Sequence, residues 1–179
     1  MALIVTVDSE RYIVDVGYGV EQALLPIPLT PHVFKIPLNR TASLSLRSLP
    51  FHTARNQSLW VYSVTDVATG EERAQYALSE MELCEADYEF INYCTSTKPG
   101  FIMCENILAL KATMENGEIT GMYTLMNDEV KQRKNDGSKV VVEKFKNEAE
   151  RVAALDKYFG IVLSNDERDA IKGTVTALS

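Results

Sequence analysis

The chain has 179 residues, is 46% hydrophobic and carries a formal net charge of −7 at pH 7. This length is enough for one hydrophobic core or two small ones, and an acidic chain without a basic stripe argues against nucleic-acid or anionic-membrane partners. No apolar stretch reaches the about 18 residues of a membrane span, so we expect no membrane association and a cytoplasmic location.

The first predicted element is a β-hairpin that ends in an acidic residue. Apolar residues dominate Met1 to Val7, Asp8-Ser9-Glu10 is turn-prone, and the β-branched pattern resumes from Tyr12 to Val16. Asp15 therefore lies at the end of the second strand, where its carboxylate is partly desolvated. We expect a histidine or an arginine close to it in space.

Two glycines follow that carboxylate. Gly17 and Gly19 either allow close approach of backbone or substrate beside Asp15, or simply form a tight turn. In the second case the Asp15 oxygens accept backbone N–H groups of the turn. The residues by themselves leave both interpretations open.

The rest of the first 85 residues has the pattern of short strands. Prolines at 26, 28, 31 and 37 exclude long helices, Leu44 to Leu46 alternates as a half-buried strand does, and Gly70 marks a turn after the strand-like run Trp60 to Val67. This pattern predicts an antiparallel β-barrel or a curved sheet.

A helix and a second hairpin follow. The spacing of Tyr88, Phe90 and Ile91 predicts a helix from Glu85 to Tyr93 with these residues toward a core, ended by the turn-prone run 95–100. Strands at 107–114 and 118–126 flank Asn116-Gly117, which predicts a type I′ turn.

Two helices are predicted at the C-terminal end. Asn147 and Glu150 form a capping pattern before an apolar stripe, Val152, Leu155 and Phe159, that stops at Gly160. Ser164 and Glu167 repeat the capping pattern before Ile171, Val175 and Leu178, which would share one helical face. The predicted class is therefore α+β.

No metal site is predicted. His32 and His52 have no metal-ligand spacing, and Cys84, Cys94 and Cys104 match no metal or redox motif. We interpret Cys104 as a buried structural thiol in a strand of the C-terminal part.

Three ordered segments resemble one known family. Asp15-Val16-Gly17-Tyr18-Gly19 is similar to the Asp-Val-Gly-Phe-Gly motif of the arylamine N-acetyltransferases, and the run 87–99 is similar to their stretch leading into the coenzyme A cleft. Trp60-Val61-Tyr62 fits a mid-barrel strand, and the remainder to Ser179 resembles the C-terminal lid of fungal members. The resemblance implies a truncated cysteine-proteinase-like N-acetyltransferase fold, with a β-barrel domain at 1–85, an inter-domain helix and cleft loop at 86–103, and an α/β lid at 104–179.

The resemblance also implies a chemistry. The family moves an acetyl or other acyl group from coenzyme A to an arylamine or hydrazine, in a ping-pong cycle through a Cys-His-Asp triad, with acyl-CoA as cosubstrate and no metal. Only Asp15 matches a triad position in these 179 residues, because the family's histidine aligns just before Met1 and its cysteine lies earlier. We expect the chain alone to have no acyl-transfer activity. The alternative is a non-catalytic module that binds coenzyme A or an aromatic amine, or that docks on a full-length paralogue.

Other site positions follow from the same resemblance. Tyr18 and Val20 match positions that line the amine pocket, although as bare residues both also suit a barrel rim. Thr97, Lys98 and Gly100 are candidates for coenzyme A contacts, since a hydroxyl, an ammonium and a free N–H suit a pyrophosphate or an amide; a plain loop is the other interpretation. Phe101 and Met103 stand where the family has serine and phenylalanine, which weakens the inferred coenzyme A contacts.

One expectation concerns self-association. In the family, a helical domain covers part of the barrel, and that domain has no counterpart in these residues. The uncovered barrel face should be apolar, which predicts self-association through it.

Overall fold

The computed structural model describes residues 2–19, 21–54 and 56–178. The chain divides into two compact units, Met1–Met81 and Glu82–Ser179. Both contain antiparallel sheets and the second also contains helices, so the predicted α+β class is confirmed. The finer division at 85 and 103 stays a prediction.

The first unit consists of strands. They pair antiparallel into a sheet of order β1-β2-β3 and a sheet of order β4-β5-β6-β7, and a closed barrel is not among the pairings of the described residues. The predicted first hairpin is confirmed, with left-handed φ angles of 49° at Asp8 and 69° at Ser9 in its turn. The strands are β1 Leu3–Val7, β2 Glu10–Val14, β3 Ile27–Pro28, β4 His32–Ile36, β5 Arg40–Arg47, β6 Leu59–Asp66 and β7 Glu72–Leu78.

One core joins the two sheets of this unit. Ile13 and Ile27 from the first sheet pack in the same buried cluster as Leu44 and Tyr62 from the second. The alternation of β5 places Arg40, Ala42 and Leu44 on its buried face. The strand that ends at Asp15 is thereby held against the second sheet.

A carboxylate at the edge of this core also bridges the sheets. Glu80 accepts the Trp60 indole N–H at 2.8 Å and pairs with Arg11 of β2 at 2.5 Å. These hydrogen bonds, that of Trp60 first, hold the pKa of Glu80 below its usual range. The pair connects β2 to β6.

The second unit contains a four-stranded antiparallel sheet of order β11-β10-β9-β8, with helical segments before and after it in sequence. Leu125, Val130, Phe145, Ala154 and Phe159 form its buried core. Its elements are α1 Glu85–Thr97, α2 Ile102–Glu105, β8 Leu108–Glu115, β9 Glu118–Met126, β10 Glu129–Lys134, β11 Lys139–Lys144, α3 Glu148–Ala154, a π-helical turn Leu155–Phe159 and α4 Asn165–Asp169.

The predicted turn and caps of this unit are confirmed. Asn116 and Gly117 have φ angles of 52° and 83°, as a type I′ turn requires. The Asn147 side chain accepts the Glu150 N–H at 3.0 Å, and Ser164 accepts the Glu167 N–H at 3.4 Å. Turns and caps of this kind depend on the residue types at a few neighbouring positions, so they can be predicted from the sequence.

The predicted helix through Ile171, Val175 and Leu178 is wrong. Helix α4 ends at Asp169, and Gly173 takes a left-handed φ of 78° that a helix cannot continue through. Val175 is 82% exposed, so the three residues share no buried face.

Two further expectations are corrected. Helix α1 runs on to Thr97 and buries none of its residues: Tyr88, Phe90 and Ile91 are 39%, 70% and 44% exposed, so they do not face a core among the described residues. Cys104 lies in α2 and not in a strand, and it is partly exposed. Its Sγ donates to the Thr95 carbonyl at 3.3 Å, which fixes the short helix against α1.

Within the described part of the chain, the helices are too short or too polar to span a lipid bilayer.

Candidate functional site around Asp15

Asp15 follows β2 directly and is 6% exposed. Its Oδ1 accepts the Gly17 N–H at 2.9 Å, which is the local turn contact that the sequence offered as one interpretation. Among the described residues Asp15 forms no ion pair, so the expected arginine or histidine partner is not found there. The carboxylate therefore keeps acceptor capacity in a desolvated place.

Two tyrosines, Tyr62 and Tyr76, lie near this carboxylate, and the Tyr18 ring packs against Tyr76. The Tyr18 and Tyr76 rings lie 4.8 Å apart between centroids, and the Tyr76 and Tyr62 rings lie 5.2 Å apart. Tyr62 and Tyr76 are directly paired residues of β6 and β7, so the sheet register brings them together. The tyrosines give Asp15 an aromatic wall.

The two buried phenols of this wall, those of Tyr62 and Tyr76, are held neutral. Burial, and then the charge of Asp15, raise the pKa of Tyr76 far above its ordinary value. Burial also raises the pKa of Tyr62 to about 12, with Arg40 lowering it and Glu21 and Asp15 raising it further. Neither hydroxyl reaches ordinary hydrogen-bond geometry with another described residue, so Asp15 acts on Tyr76 chiefly through its charge.

A buried ion pair lies beyond Tyr62. Arg40 is 3% exposed and its guanidinium pairs with the Glu21 carboxylate. A paired cation can remain in the interior, whereas an unpaired one would be strongly destabilising. Sequence reasoning did not find Arg40, Glu21, Tyr62 or Tyr76 as neighbours of Asp15; the alternation of β5, β6 and β7 was the available signal.

The Tyr62 hydroxyl offers a test of this environment. Because that hydroxyl is buried without a partner, Tyr62→Phe should leave the unfolding free energy at pH 7 unchanged or raise it by about 1 kcal/mol. The pKa of Tyr62 is about 12 in the folded state and 10.0 ordinarily, so the unfolded state loses this proton first as the pH rises. The unfolding free energy is therefore unaffected by this group below pH 10 and falls as the pH rises from 10 toward 12. The substitution should therefore reduce the alkaline loss by about 2 kcal/mol, measured by urea unfolding at pH 8, 10 and 11.5.

Tyr93→Phe is the matched control, since Tyr93 is 66% exposed and the variant should follow the unmodified protein at every pH. An alkaline loss in Tyr62→Phe equal to that of the unmodified protein would contradict the prediction.

Gly17, Tyr18 and Gly19 follow Asp15 in the segment after β2. The Tyr18 hydroxyl donates to the Gln75 carbonyl at 2.6 Å, which fixes the ring against β7. Gly19 has a φ of 102° that favours glycine, while a Cβ at Gly17 would meet open space. Val20, the fourth predicted acceptor-site residue, lies outside the described residues.

The predicted coenzyme A residues belong to the second unit. The Thr97 hydroxyl donates to the Tyr93 carbonyl at 2.6 Å, and the Gly100 N–H donates to Glu105 Oε1 at 2.7 Å. The N–H expected to be free is thus occupied by a carboxylate. Lys98 ends α1 with an exposed side chain, and its carbonyl accepts the Phe101 N–H at 3.1 Å in a turn with Gly100 at φ 79°.

The structure therefore brings Asp15, Gly17, Tyr18 and Gly19 together within the first unit. Thr97, Lys98 and Gly100 lie in one loop of the second. Each group is local to its own unit.

Comparison with known proteins gives a consistent result. A family model described as N-acetyltransferase matches residues 1–168. N-malonyltransferase FDB2 of Fusarium pseudograminearum is 30% identical over 183 aligned positions, which cover 96% of this chain and 53% of that protein. N-malonyltransferase FDB2 of Gibberella moniliformis is 29% identical, covering 96% of this chain and 52% of that protein. The chain thus spans about half the length of the curated relatives it matches.

Solved structures share the fold. The arylamine N-acetyltransferase from Mycobacterium abscessus matches with a TM-score of 0.73 at 19% identity, over 93% of this chain and 55% of that chain. The enzyme from Mycobacterium marinum, solved in complex with CoA, matches with a TM-score of 0.70 at 20% identity, over 94% and 58%.

Proposed function

Because the chain belongs to the arylamine N-acetyltransferase family, we propose that it forms the aspartate-bearing part of an acyl-CoA-dependent N-acyltransferase. The observation that carries the proposal is the buried Asp15 carboxylate, which has one local hydrogen bond, an aromatic wall and acceptor capacity left over. A group of this kind is suited to orient a histidine.

Asp15 is proposed to accept the N–H of a catalytic imidazole. That hydrogen bond selects the tautomer in which the other ring nitrogen can take the proton of a cysteine, and it stabilises the imidazolium that results. The thiolate attacks the carbonyl of the acyl-CoA thioester, whose C–S bond breaks, and coenzyme A leaves as its thiol with the proton of the imidazolium. The amine then attacks the acyl-cysteine, gives its proton to the imidazole and releases the cysteine thiolate. Because the phenols of Tyr62 and Tyr76 are neutral, they do not compete with Asp15 for a positive charge. A histidine imidazolium would therefore pair with the Asp15 carboxylate.

The acceptor amine is proposed to lie against Tyr18. Its ring is fixed on β7 by the bond to Gln75 and is 42% exposed, so its free face is available for stacking on an arylamine. Gly17 and Gly19 leave room beside the carboxylate, and Val20 is carried over from the family motif alone.

Coenzyme A is proposed to contact the loop at Thr97, Lys98 and Gly100. The exposed ammonium of Lys98 suits a phosphate. A ligand that used the Gly100 N–H or the Thr97 hydroxyl would first have to displace Glu105 or the Tyr93 carbonyl. Lys98 is therefore the contact we expect to contribute most, and no metal is part of the proposal.

Two acyl donors are candidates. The family name supports acetyl-CoA, whereas the fungal relatives at 29–30% identity are named N-malonyltransferases. Initial rates with the two donors at equal concentration separate them once the nucleophile-bearing part is supplied. Cytoplasmic action on small xenobiotic amines fits either donor and completes the proposal.

Activity gives the first test. A polypeptide of these 179 residues should form no acetylated or malonylated arylamine above the buffer rate, because only one of the three triad residues lies within it. The same residues joined to the cysteine- and histidine-bearing part of a fungal relative should transfer acyl groups, and Asp15→Asn should lower that rate by about 10³–10⁴. A folded chimera whose rate is indifferent to Asp15→Asn would contradict the assignment of Asp15.

Binding gives the second test and addresses the rival, a non-catalytic module that binds coenzyme A. Titration of the chain with coenzyme A, followed by amide NMR, should shift the resonances of 97–100 with a dissociation constant in the millimolar range. Lys98→Met should weaken this about fivefold or more, while Lys172→Met, whose side chain is also exposed (73%), should not. Micromolar binding by the chain alone would favour the binding module, and shifts elsewhere would contradict the loop assignment.

Self-association of these 179 residues through the exposed face of β1 remains part of the proposal. Leu3, Val5 and Val7 on β1 are 51%, 38% and 53% exposed and support an apolar surface there. A sedimentation profile that stays monomeric up to high concentration would count against it.

A further inference from the structure

The segment that follows Asp15 is fixed to the second sheet at two separate points. Tyr18 is tied to β7 through its hydroxyl and the Gln75 carbonyl at 2.6 Å. Glu21, three positions further on, is tied to β5 through the ion pair with Arg40. The second point lies next to a hydrogen bond that the Gln22 N–H donates to the Gly19 carbonyl at 3.1 Å.

We propose that Arg40 is a positioning residue for Asp15, acting through Glu21 on the segment that follows the carboxylate. The proposal rests on the proposed function only in taking Asp15 as the group to be positioned. Arg40 has no part in the triad chemistry and is not one of the residues found by resemblance to the family motif.

The burial of Arg40 is the first argument. Its side chain is 2% exposed while that of Glu21 is 32% exposed, so a charged residue from the interior of the sheet reaches out to a residue of the turn. A buried ion pair contributes little net stability compared with apolar residues of the same size, but its geometry is demanding. Such a pair suits a position where orientation matters more than stability.

The location of the pair is the second argument. Arg40 and Leu44 lie on the buried face of β5, and Leu44 is the direct partner of Tyr62, which in turn pairs with Tyr76. The charges of Arg40, Glu21 and Asp15 all act on the Tyr62 phenol, which places the ion pair and the carboxylate around one side chain. A displacement of Glu21 would therefore be transmitted to the surroundings of Asp15.

Local hydrogen exchange tests the proposal on the chain as it exists. The Gly17 amide donates to Asp15, and the Leu29 amide donates to the Arg11 carbonyl at 2.7 Å in the same unit, so the first reports the site and the second reports the unit as a whole. In Arg40→Met the protection of Gly17 should fall about tenfold or more relative to that of Leu29, with a shift of the Gly17 amide resonance. Arg40→Lys should restore part of the protection.

Two further variants keep the test decisive. Arg40→Met combined with Glu21→Gln removes both charges, leaves neither one unpaired, and should reproduce the Gly17 effect if Arg40→Met alone does not fold. Arg73→Met breaks the exposed pair with Glu71 and should leave the Gly17 to Leu29 ratio unchanged.

The proposal is overturned if folded Arg40→Met, alone or combined with Glu21→Gln, lowers Gly17 and Leu29 protection equally, since the pair would then only stabilise the unit. An unchanged Gly17 amide would overturn it as well. Loss of acyl transfer in the chimera bears on the proposed function and leaves this readout unaffected.

Discussion

Replacing Arg151 with methionine should lower the unfolding free energy of the second unit by about 3 kcal/mol, the largest effect we expect for a single side chain. Arg151 is 2% exposed and pairs with Glu148 through two of its nitrogens. It also donates to the Asn127 carbonyl at 3.2 Å and to the Thr176 carbonyl at 2.9 Å. Methionine keeps much of the apolar stem but leaves a carboxylate and two carbonyls without their donor.

The same substitution should release the C-terminal residues. Glu148 also accepts the Leu178 N–H at 2.7 Å, so the pair holds the last described residue. Urea unfolding measures the global loss, and hydrogen exchange at the Leu178 amide measures the local release. Lys157→Met, which breaks an exposed pair with Glu143, should change stability by less than about 1 kcal/mol.

A double variant tests whether the unpaired Glu148 carboxylate causes the loss of stability in Arg151→Met. Arg151→Met with Glu148→Gln removes both charges but keeps an oxygen that can accept the Leu178 N–H, and it should recover part of the lost stability because no carboxylate is then left unpaired. Full protection of Leu178 in the single variant, or a double variant less stable than the single, would show that the ion pair is not what orders this end of the chain.

Gly121→Ala should cost about 2–3 kcal/mol, although it adds a single methyl group. A Cβ at this position of β9 would lie 2.8 Å from Thr113 Oγ1 and 2.9 Å from the Arg133 carbonyl oxygen. The first contact can be relieved by rotation of a side chain, but the second is backbone of β10, so the strands must separate. Thermal and urea unfolding of the purified variant measure the loss.

Two variants isolate the cause at Gly121. Gly17→Ala is the matched control, because a Cβ there meets open space, and it should cost less than about 1 kcal/mol. Gly121→Ala combined with Thr113→Ala should stay nearly as unstable as the single variant, since the Arg133 carbonyl remains in the way. If the double variant instead regained the stability of the unmodified protein, the contact with Thr113 and not that with Arg133 would be the cause of the loss.

Local signals explain why much of the fold could be predicted from the sequence. One turn and two helix caps were each predicted from residues within four positions of one another, and each was confirmed: Asn116-Gly117, Asn147 with Glu150, and Ser164 with Glu167. The predicted helix through Val175 was wrong because the prediction relied on the spacing of apolar residues. It did not take into account that Gly173 adopts a left-handed backbone conformation, which a helix cannot continue through.

The surroundings of Asp15 could be predicted only in part. Its place at the end of a strand followed from the alternation of the first hairpin, and its contact with Gly17 from the glycine turn. Tyr76 could not be found in this way, because its approach depends on the register of β6 and β7 and on the irregularity between Tyr62 and Ser63. Arg40 was missed since an isolated arginine in a sequence is ordinarily exposed.

Glu80 connects β2 to β6 through Arg11 and Trp60, and this connection affects how the region can change in evolution. Asp15 directly follows a strand of one sheet, and Tyr62 and Tyr76 belong to the other, so their separation depends on how the two sheets are joined. Apart from the anchored segment that follows Asp15, loops that leave either sheet can lengthen without moving the carboxylate, whereas a shift of Arg11 or Trp60 alters the distance directly. The side chains that keep the geometry constant thus stand apart from those that would do the chemistry.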